Sequence, residues 1–270
     1  MDQRPIGIFD SGLGGLTALR VLRRILPEEN LVYFGDTGRV PYGSRGRDTI
    51  LHYARQDVSF LRSFDLKAVV VACGTVSANA LTELTAENDL PIFGVVTPAV
   101  RAAVERTRSG KIGLIGTAAS IRSGAYEREI GVLAPRAHVY AAPCPLFVPL
   151  VENGRYRADD PVVNLVAEDY LAPLRAAGVD ILVLGCTHYP LLADVIGKVM
   201  GPEVELVDAG ETCASYAARS LEEQGLLAKR ERGSCRYFVS DSTDDFARLA
   251  TIFMGGRAEG PVERVEIQNY

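Results

Sequence analysis

The chain has 270 residues, of which 47% are hydrophobic and 23% charged, and its formal net charge is −5. These values are ordinary for a globular protein, exclude global disorder, and suit one large domain or two of moderate size. The densest basic cluster, residues 229–232, is interrupted by Glu231. Because nucleic-acid binding normally requires a concentrated basic surface, we expect no nucleic-acid partner.

The cysteine count and the first residues bear on the cellular compartment. Five cysteines, an odd number, exclude a fully paired disulfide framework. The chain starts without the apolar core of a signal peptide, and no apolar stretch is long enough to span a bilayer. We therefore expect free thiols, no membrane partner and a cytoplasmic location.

Short apolar runs alternate with amphipathic segments from the first residues onward. In the first part of the chain they predict strands at residues 6–9, 31–34, 68–72 and 92–96. Leucines at positions 16, 19, 22 and 26 recur at helical spacing between the first two strands. Continuous apolar strands separated by helices indicate a parallel sheet covered on both faces.

A second cycle of the same kind follows. Its apolar runs predict strands at residues 111–115, 138–141, 181–184 and 204–207, and the chain then closes with a strand at 236–239, a helix at 243–253 and a strand at 262–267. Residues 6–11 align with 112–117 at an offset of 106, and Cys73 aligns with Cys186 at an offset of 113. Chance similarity between α/β strands is one explanation. The matched cysteines, each directly after a strand, favour an internal duplication.

These patterns predict an α/β fold of two similar, pseudo-symmetric lobes, each a mainly parallel sheet flanked by helices. We expect the lobe that carries Cys73 to comprise residues 1–97 and 209–270, and the lobe that carries Cys186 to comprise residues 98–208. Ligands of open α/β sheets bind outside the carboxyl ends of the strands. The active site is therefore expected in the cleft between the lobes, where closure would exclude water.

Cys73 and Cys186 are the first candidates for chemistry. Each follows an apolar strand and precedes a predicted helix, whose N-terminus lowers the pKa of a thiol. A single cysteine in this place is more often a small buried hydrophobe, but two at matching positions favour a function. The remaining cysteines lack this setting and are predicted to be structural: Cys144, Cys213 and Cys235.

Asp10 and His188 are candidate helpers for the two thiols. His188 lies two residues beyond Cys186 and could exchange a proton with it, although a histidine held by backbone bonds is the alternative. Asp10 could accept a proton from Cys73 while Ser11 binds a carboxylate; a turn aspartate and a helix-capping serine are the alternative. Cys186 and His188 lack further ligands at zinc spacing, so we expect no metal.

Three loop segments add weaker candidates. Residues 12–15 are glycine-rich without the dinucleotide fingerprint, which predicts a tight turn near a small anion. In the loop 41–44 a turn explains Pro41 and Gly43, yet Tyr42 could cover the cleft. Glu152 is an acidic candidate, with a surface turn as the alternative.

Two thiols on opposite sides of one cleft suit a specific reaction. One thiol removes a proton from a tetrahedral carbon, and the other delivers a proton to the opposite face, so the stereocentre inverts. Asp10 and His188 would each assist one thiol. No redox step is required, no C-x-x-C motif is present, and no pyridoxal-binding pattern is evident, so we expect no cofactor.

Five ordered blocks carry a resemblance to a known family. They are GIFDSGLGG at 7–15, YFGDT at 33–37, VPYG at 40–43, VACGT at 71–75 and LGCTHYP at 184–190. Over nearly its whole length the sequence resembles the glutamate racemases of bacterial cell-wall synthesis. The resemblance implies cofactor-independent interconversion of L- and D-glutamate, with D-glutamate used for peptidoglycan. Self-association as a homodimer is a further expectation, whose geometry the sequence does not define.

The resemblance also implies roles for individual residues. It makes Cys73 and Cys186 the paired acid/base residues. Positions that match residues contacting or supporting the substrate are Asp10, Ser11, Pro41, Tyr42, Gly43, Thr75, Thr187, His188 and Glu152. Thr117, at the end of a strand, and Gly74 complete the set of candidates. The family usually reads Cys-Asn-Thr where this chain reads Cys73-Gly74-Thr75, so the amide expected to hold the amino acid is missing.

Two alternative functions share this fold. One is racemisation of another acidic amino acid, such as aspartate; the length of the loop at 41–43 and the family-wide match favour glutamate. The other is a non-catalytic amino-acid-binding or regulatory protein, an alternative to which the missing amide at Gly74 gives weight. Thiol redox chemistry is disfavoured because there is no C-x-x-C motif.

Overall fold

The computed structural model describes residues 1–244, 246–256 and 258–270. The strands are β1 (Ile6–Asp10), β2 (Leu31–Gly35), β3 (Ala68–Val71), β4 (Ile92–Gly94), β5 (Lys111–Gly116), β6 (His138–Pro143), β7 (Ile181–Leu184), β8 (Glu205–Asp208), β9 (Cys235–Val239) and β10 (Val262–Arg264). The helices are α1 (Leu16–Ile25), α2 (Arg47–Arg62), α3 (Gly74–Ala86), α4 (Val96–Arg106), α5 (Ala118–Ser123), α6 (Ala125–Leu133), α7 (Phe147–Glu152), α8 (Pro161–Ala177), α9 (Ala193–Met200), α10 (Ala209–Glu223) and α11 (Phe246–Met254). Within the described ranges, every helix is too short or too polar to cross a membrane.

The strands form two sheets, and the strand pairings within them are parallel. In the described part of the chain one sheet has six strands in the order β10-β9-β2-β1-β3-β4, and the other has four in the order β6-β5-β7-β8. The segment β2-β1-β3-β4 repeats the order of the second sheet when β1 is matched with β5. The predicted α/β class with two parallel sheets is confirmed, and the repeated order supports the internal duplication.

Both faces of the first sheet are covered by apolar residues. Successive residues of β1 point to opposite faces, as in any strand. Ile8 joins a large cluster that continues through Leu114 of the second sheet, and Phe9 joins a second cluster with Phe60 of α2. This two-sided burial explains why the strands read as continuous apolar runs in the sequence.

The order of the elements bears on the proposed division into lobes. The chain leaves the first sheet after β4 at Gly94, builds the second sheet between residues 111 and 208, and returns to the first sheet at β9. The division at residues 97/98 and 208/209 agrees with this path and stays a proposal.

Several predicted elements differ in extent from those observed. The strand predicted at 92–96 ends at Gly94 because α4 begins at Val96 with Pro98 in its first turn, where a missing N–H costs nothing. The strand predicted at 262–267 ends at Arg264, and the chain then turns so that Ile267 is buried in the second apolar cluster. The helix predicted at 243–253 is found at Phe246–Met254, and its predicted position 245 lies outside the described residues.

Candidate active site

A cavity of about 460 Å³ is lined by residues that follow strands of both sheets. Nearly all of the candidates from the sequence line it: Ser11, Pro41, Tyr42, Gly43, Cys73, Gly74, Thr75, Thr117, Glu152, Cys186, Thr187 and His188. Asp10 is absent from the wall because its carboxylate is buried directly beneath it, beside Ser11 and Gly12. The carboxyl ends of the strands thus meet at one pocket, as expected for sheets of this class.

Cys73 occupies the turn between β3 and α3. It is the residue immediately before the helix, and its carbonyl oxygen accepts from the N–H of Ser77 at 2.9 Å. The Cys73 Sγ donates to Ser11 Oγ at 3.3 Å, so the two side chains stand together on the first-sheet side of the cavity. Only 4% of Cys73 is exposed, so its thiol is open to the cavity and otherwise enclosed.

The Asp10 carboxylate lies close to this thiol. Its Oδ2 accepts from the N–H of Gly12 at 3.2 Å, whereas its buried Oδ1 has no hydrogen-bond partner among the described residues. Burial raises the pKa of Asp10, although the charge of His188 and nearby backbone N–H groups lower it. A carboxylate with a free oxygen and a raised pKa is suited to accept a proton.

The pKa of Cys73 differs from the expectation drawn from the helix N-terminus. Burial and the neighbouring Asp10 carboxylate raise it to about 12, and the hydrogen bonds from Ser11 and from the backbone only reduce that rise. The expected net lowering is therefore wrong. The reason is tertiary: enclosure and a like charge outweigh the helix end, so the Cys73 thiol keeps its proton at neutral pH.

Cys186 has a different set of neighbours on the second-sheet side. It follows β7, and its Sγ lies 3.9 Å from Nδ1 of His188. The Nε2 of the same ring lies 3.0 Å from Oε1 of Glu152 at the end of α7. The ring of Phe253 packs edge-on against His188, with 5.0 Å between the ring centroids. The imidazole is therefore held between a thiol and a carboxylate.

This arrangement sets the charge of His188. Burial lowers the pKa of the imidazole, but the contacts with Cys186 and Glu152 raise it, and the result is a pKa of about 10. A histidine with that pKa is protonated at neutral pH and places a positive charge beside the Cys186 sulfur. At neutral pH the cavity therefore presents a protonated Cys73 thiol on one side and an imidazolium beside Cys186 on the other.

Direct contacts join the two sides of the cavity. The hydroxyls of Thr75 and Thr117 lie 2.9 Å apart, and the hydroxyl of Thr17 donates to the carbonyl oxygen of Thr187 at 3.2 Å. Thr17 was not among the sequence-based candidates, because a threonine inside the leucine pattern of α1 reads as an ordinary helix residue. Thr75, Thr117 and Thr187 are brought together as expected.

Glycines occupy the closest approaches between the sides. A Cβ atom on Gly74 would lie 2.1 Å from the carbonyl oxygen of Gly185, and one on Gly14 would lie 2.3 Å from Oγ1 of Thr187. Real Cβ atoms do not approach other atoms so closely. Gly74 therefore has a steric reason that the sequence did not show: the backbone before Cys186 fills the space where a side chain would begin.

Several further wall residues were not among the site residues predicted from the sequence. They are Val40, Pro145, Val148 and Pro149, together with Ser44, Ala118 and Tyr189. Tyr42 lines the cavity too, but its hydroxyl donates to the buried Asp36 carboxylate. Among the described residues, no group of three or more His, Cys, Asp or Glu side chains is arranged to hold a metal ion.

Comparison with known proteins places these observations in a context. The family model described as Asp/Glu/Hydantoin racemase matches residues 19–217. The chain is 47% identical over 269 residues to the glutamate racemase of Geobacter metallireducens, covering 99% of this chain and 98% of that protein. It is also similar to the crystal structure of Francisella tularensis glutamate racemase in complex with D-glutamate, with a TM-score of 0.93, 35% identity and 100% of each chain covered. Thermus thermophilus glutamate racemase in complex with beta-chloro-D-alanine gives a TM-score of 0.90 at 45% identity, again over 100% of each chain.

Proposed function

The chain belongs to the Asp/Glu/Hydantoin racemase family, and from this premise we propose that it interconverts L-glutamate and D-glutamate. It is thus an isomerase that acts on an amino acid. The observation that supports this proposal best is the placement of Cys73 and Cys186. They follow equivalent strands of the two sheets and line one cavity.

The proposed reaction requires one thiolate and one thiol. The thiolate removes the α-proton: the C–H bond breaks, an S–H bond forms, and the electron pair remains on the α-carbon beside its carboxylate. The opposite thiol then gives its proton to the other face of that carbon and becomes a thiolate. Configuration inverts, no electrons are exchanged, and the two sulfurs end with their protonation states reversed.

Asp10 and His188 are proposed to convert the two sulfurs to the state in which Cys73 is the thiolate and Cys186 the thiol, as proton abstraction by Cys73 requires. Asp10 has an unpartnered buried oxygen near Cys73 that can take up the thiol proton. His188 lies in contact with Cys186 and carries a proton at neutral pH, which it can return to the sulfur. The two sides therefore use different helper groups for the same task.

Neutral donors are proposed to bind the carboxylates of the substrate. No lysine or arginine is among the described residues that line the cavity. The hydroxyls of Ser11, Thr75, Thr117 and Thr187 are available there, as are the backbone N–H groups at the start of α3. Such groups bind carboxylates without placing a full positive charge beside them. The α-proton of the substrate is therefore less acidic than it would be if a lysine or arginine held the carboxylate.

The cellular role, the location and the association state are proposed from the resemblance to the glutamate racemases. We propose that the D-glutamate product is used for peptidoglycan synthesis and that the chain acts in the cytoplasm. Association into a homodimer also remains a proposal. The proposed reaction does not depend on the cellular role, the location or the association state.

Racemisation is tested with the purified chain and each enantiomer of glutamate and of aspartate. Circular dichroism follows loss of optical activity, and proton NMR in D₂O follows exchange at the α-carbon. We expect both glutamate enantiomers to reach the same equal mixture, faster than aspartate, and a Cys73→Ser/Cys186→Ser double variant to be inactive. Faster aspartate turnover would change the substrate, and no exchange at millimolar glutamate would favour a non-catalytic binding protein.

A further inference from the structure

A cluster of charged and polar side chains is buried behind the cavity loop, residues 40–44. We call it the loop cluster, and it consists of Asp36, Arg39, Tyr42 and Asp57. Both carboxylates are fully buried, Tyr42 is 1% exposed, and the Arg39 side chain is 10% exposed. Asp57 lies within α2, whereas the others lie on the segment that follows β2.

Asp36 is the carboxylate of the loop cluster that accepts more hydrogen bonds. It accepts from Arg39 Nε at 2.6 Å, from Ser240 Oγ at 2.6 Å and from the Tyr42 hydroxyl. Three donors, one of them cationic, are the surroundings that stabilise an ionised carboxylate.

Asp57 has fewer donors. Its Oδ1 accepts from Arg39 Nη2 at 2.8 Å, and its Oδ2 lies 3.2 Å from the Tyr42 hydroxyl oxygen. A tyrosine hydroxyl has a single proton, and here Asp36 receives it. The contact between Asp57 and Tyr42 therefore lacks a proton unless Asp57 supplies one.

The number of buried charges also indicates that Asp57 is protonated. If both carboxylates were ionised, two negative charges would face one guanidinium in a fully buried place, and an uncompensated buried charge is costly. The charged groups that face Asp57 among the described residues are Asp36 and Arg39. Burial and the charge of Asp36 raise the pKa of Asp57 well above its usual range, against the opposing effect of Arg39 and Tyr42.

We propose that Asp57 is a neutral carboxylic acid that donates its proton to the Tyr42 hydroxyl, which in turn donates to Asp36. Through this chain of hydrogen bonds Asp57 acts as a positioning residue for the loop 40–44, and so for one wall of the cavity. The protonation state stands by itself; the positioning role rests on the proposed function.

The proposal predicts an asymmetry between two conservative variants. In Asp57→Asn the amide oxygen accepts from Arg39 and the NH₂ group donates to Tyr42, so the variant reproduces a protonated aspartic acid. In Asp36→Asn the new NH₂ group is a donor and faces the groups of Arg39, Tyr42 or Ser240 that donate to Asp36 in the parent, so at least one of their hydrogen bonds is lost. We expect Asp57→Asn to keep KM and kcat within about twofold of the parent, and Asp36→Asn and Asp57→Ala to raise KM about fivefold or more, as loss of a buried hydrogen bond would.

Separate measurements distinguish positioning from general destabilisation. Val58→Ala removes buried apolar volume from α2 beside the cluster and serves as the control. It should lower the melting temperature without raising KM, whereas Asp57→Ala should raise KM for both glutamate enantiomers more than it lowers kcat. Infrared difference spectra at neutral pH, parent minus Asp57→Asn, should show the carbonyl band of a protonated carboxylic acid.

Different outcomes overturn different parts. An infrared difference that shows only carboxylate bands, or strong destabilisation by Asp57→Asn with Asp36→Asn tolerated, overturns the assigned protonation state. Unchanged KM in Asp57→Ala overturns the positioning role. If the parent chain fails to racemise glutamate, the proposed function and the positioning role fall, while infrared and melting data still decide the protonation state.

Discussion

The carbonyl oxygen of Gly185 occupies the place in which a side chain on residue 74 would have to begin. A Cβ atom there would lie 2.1 Å from this oxygen and 3.1 Å from the Gly185 carbonyl carbon. The contact joins backbone to backbone, since Gly74 is the first residue of α3 and Gly185 follows β7 of the second sheet. Neither partner is the flexible end of a side chain, so a substituent at residue 74 must move the two sides of the cavity apart.

Gly74→Ala is therefore expected to lower both stability and activity. Overpacking of this kind typically costs about 1–3 kcal/mol. If that cost falls on the transition state, kcat/KM drops by about 5- to 150-fold. Gly131→Ala is the matched control, because residue 131 lies within α6 with open space around it and should gain about 0.5–1 kcal/mol. Thermal melts and racemisation rates for both variants measure this, and an active, stable Gly74→Ala would refute the steric account.

Single serine variants of the two cysteines test the two-thiol reaction. Cys73→Ser should impair proton abstraction from one enantiomer of glutamate more than from the other, and Cys186→Ser should show the opposite bias. In the proposed mechanism each sulfur faces one side of the α-carbon, and a neutral serine hydroxyl is a much weaker base than a thiolate. Initial α-proton exchange from each pure enantiomer in D₂O measures the bias. Equal and mild losses in both directions would contradict the mechanism.

Asp10→Asn should change the ionisation of Cys73. The Asp10 carboxylate contributes to raising the Cys73 pKa to about 12, so removing its charge lowers that pKa, although burial keeps part of the rise. Alkylation of the native protein, quantified by mass spectrometry, should then reach Cys73 at a lower pH than in the parent. Cys235 is the internal control, because its pKa of about 11 is set by burial, Tyr237 and Arg23. An unchanged pH dependence at Cys73 would mean that the carboxylate does not influence the thiol.

Glu152→Gln should lower the pKa of His188. The carboxylate helps to raise this pKa to about 10, and a neutral amide stabilises the imidazolium less. A raised folded-state pKa adds stability that is fully present below the ordinary value of 6.5 and is lost as pH rises through about 10, so the variant should lose it at lower pH. An NMR titration of the imidazole signals of the three histidines measures the change, and the signals of His52 and His138 serve as internal references. A His188 midpoint that stays at the parent value would contradict the role of Glu152.

The sequence predicted the strands, the two-sheet architecture and the matched cysteines because their signals are local. An apolar run with a polar residue at its end is visible in the chain itself, as at Cys73 and Cys186. Asp57 was missed because it lies within α2, where a buried carboxylate looks like an exposed one. Its partners, Arg39 and Tyr42, come together with it only in the folded chain.

The direction of the Cys73 pKa and the reason for Gly74 were missed on similar grounds. Both depend on distances between segments that are far apart in the sequence. The helix N-terminus could be predicted at Cys73, but neither the degree of enclosure nor the approach of Gly185 could be. Electrostatic and steric effects at this cavity therefore required the folded structure.

The helpers of the two sulfurs differ in their access to bulk water. The contacts from Cys186 lead through His188 to Glu152, whose side chain is 39% exposed, so a proton can travel along them to the surface. Asp10, beside Cys73, is 1% exposed and offers no such exit. The Cys186 side should therefore equilibrate with solvent between turnovers, while the Cys73 side retains the proton it captured and can hand it back to the next substrate molecule.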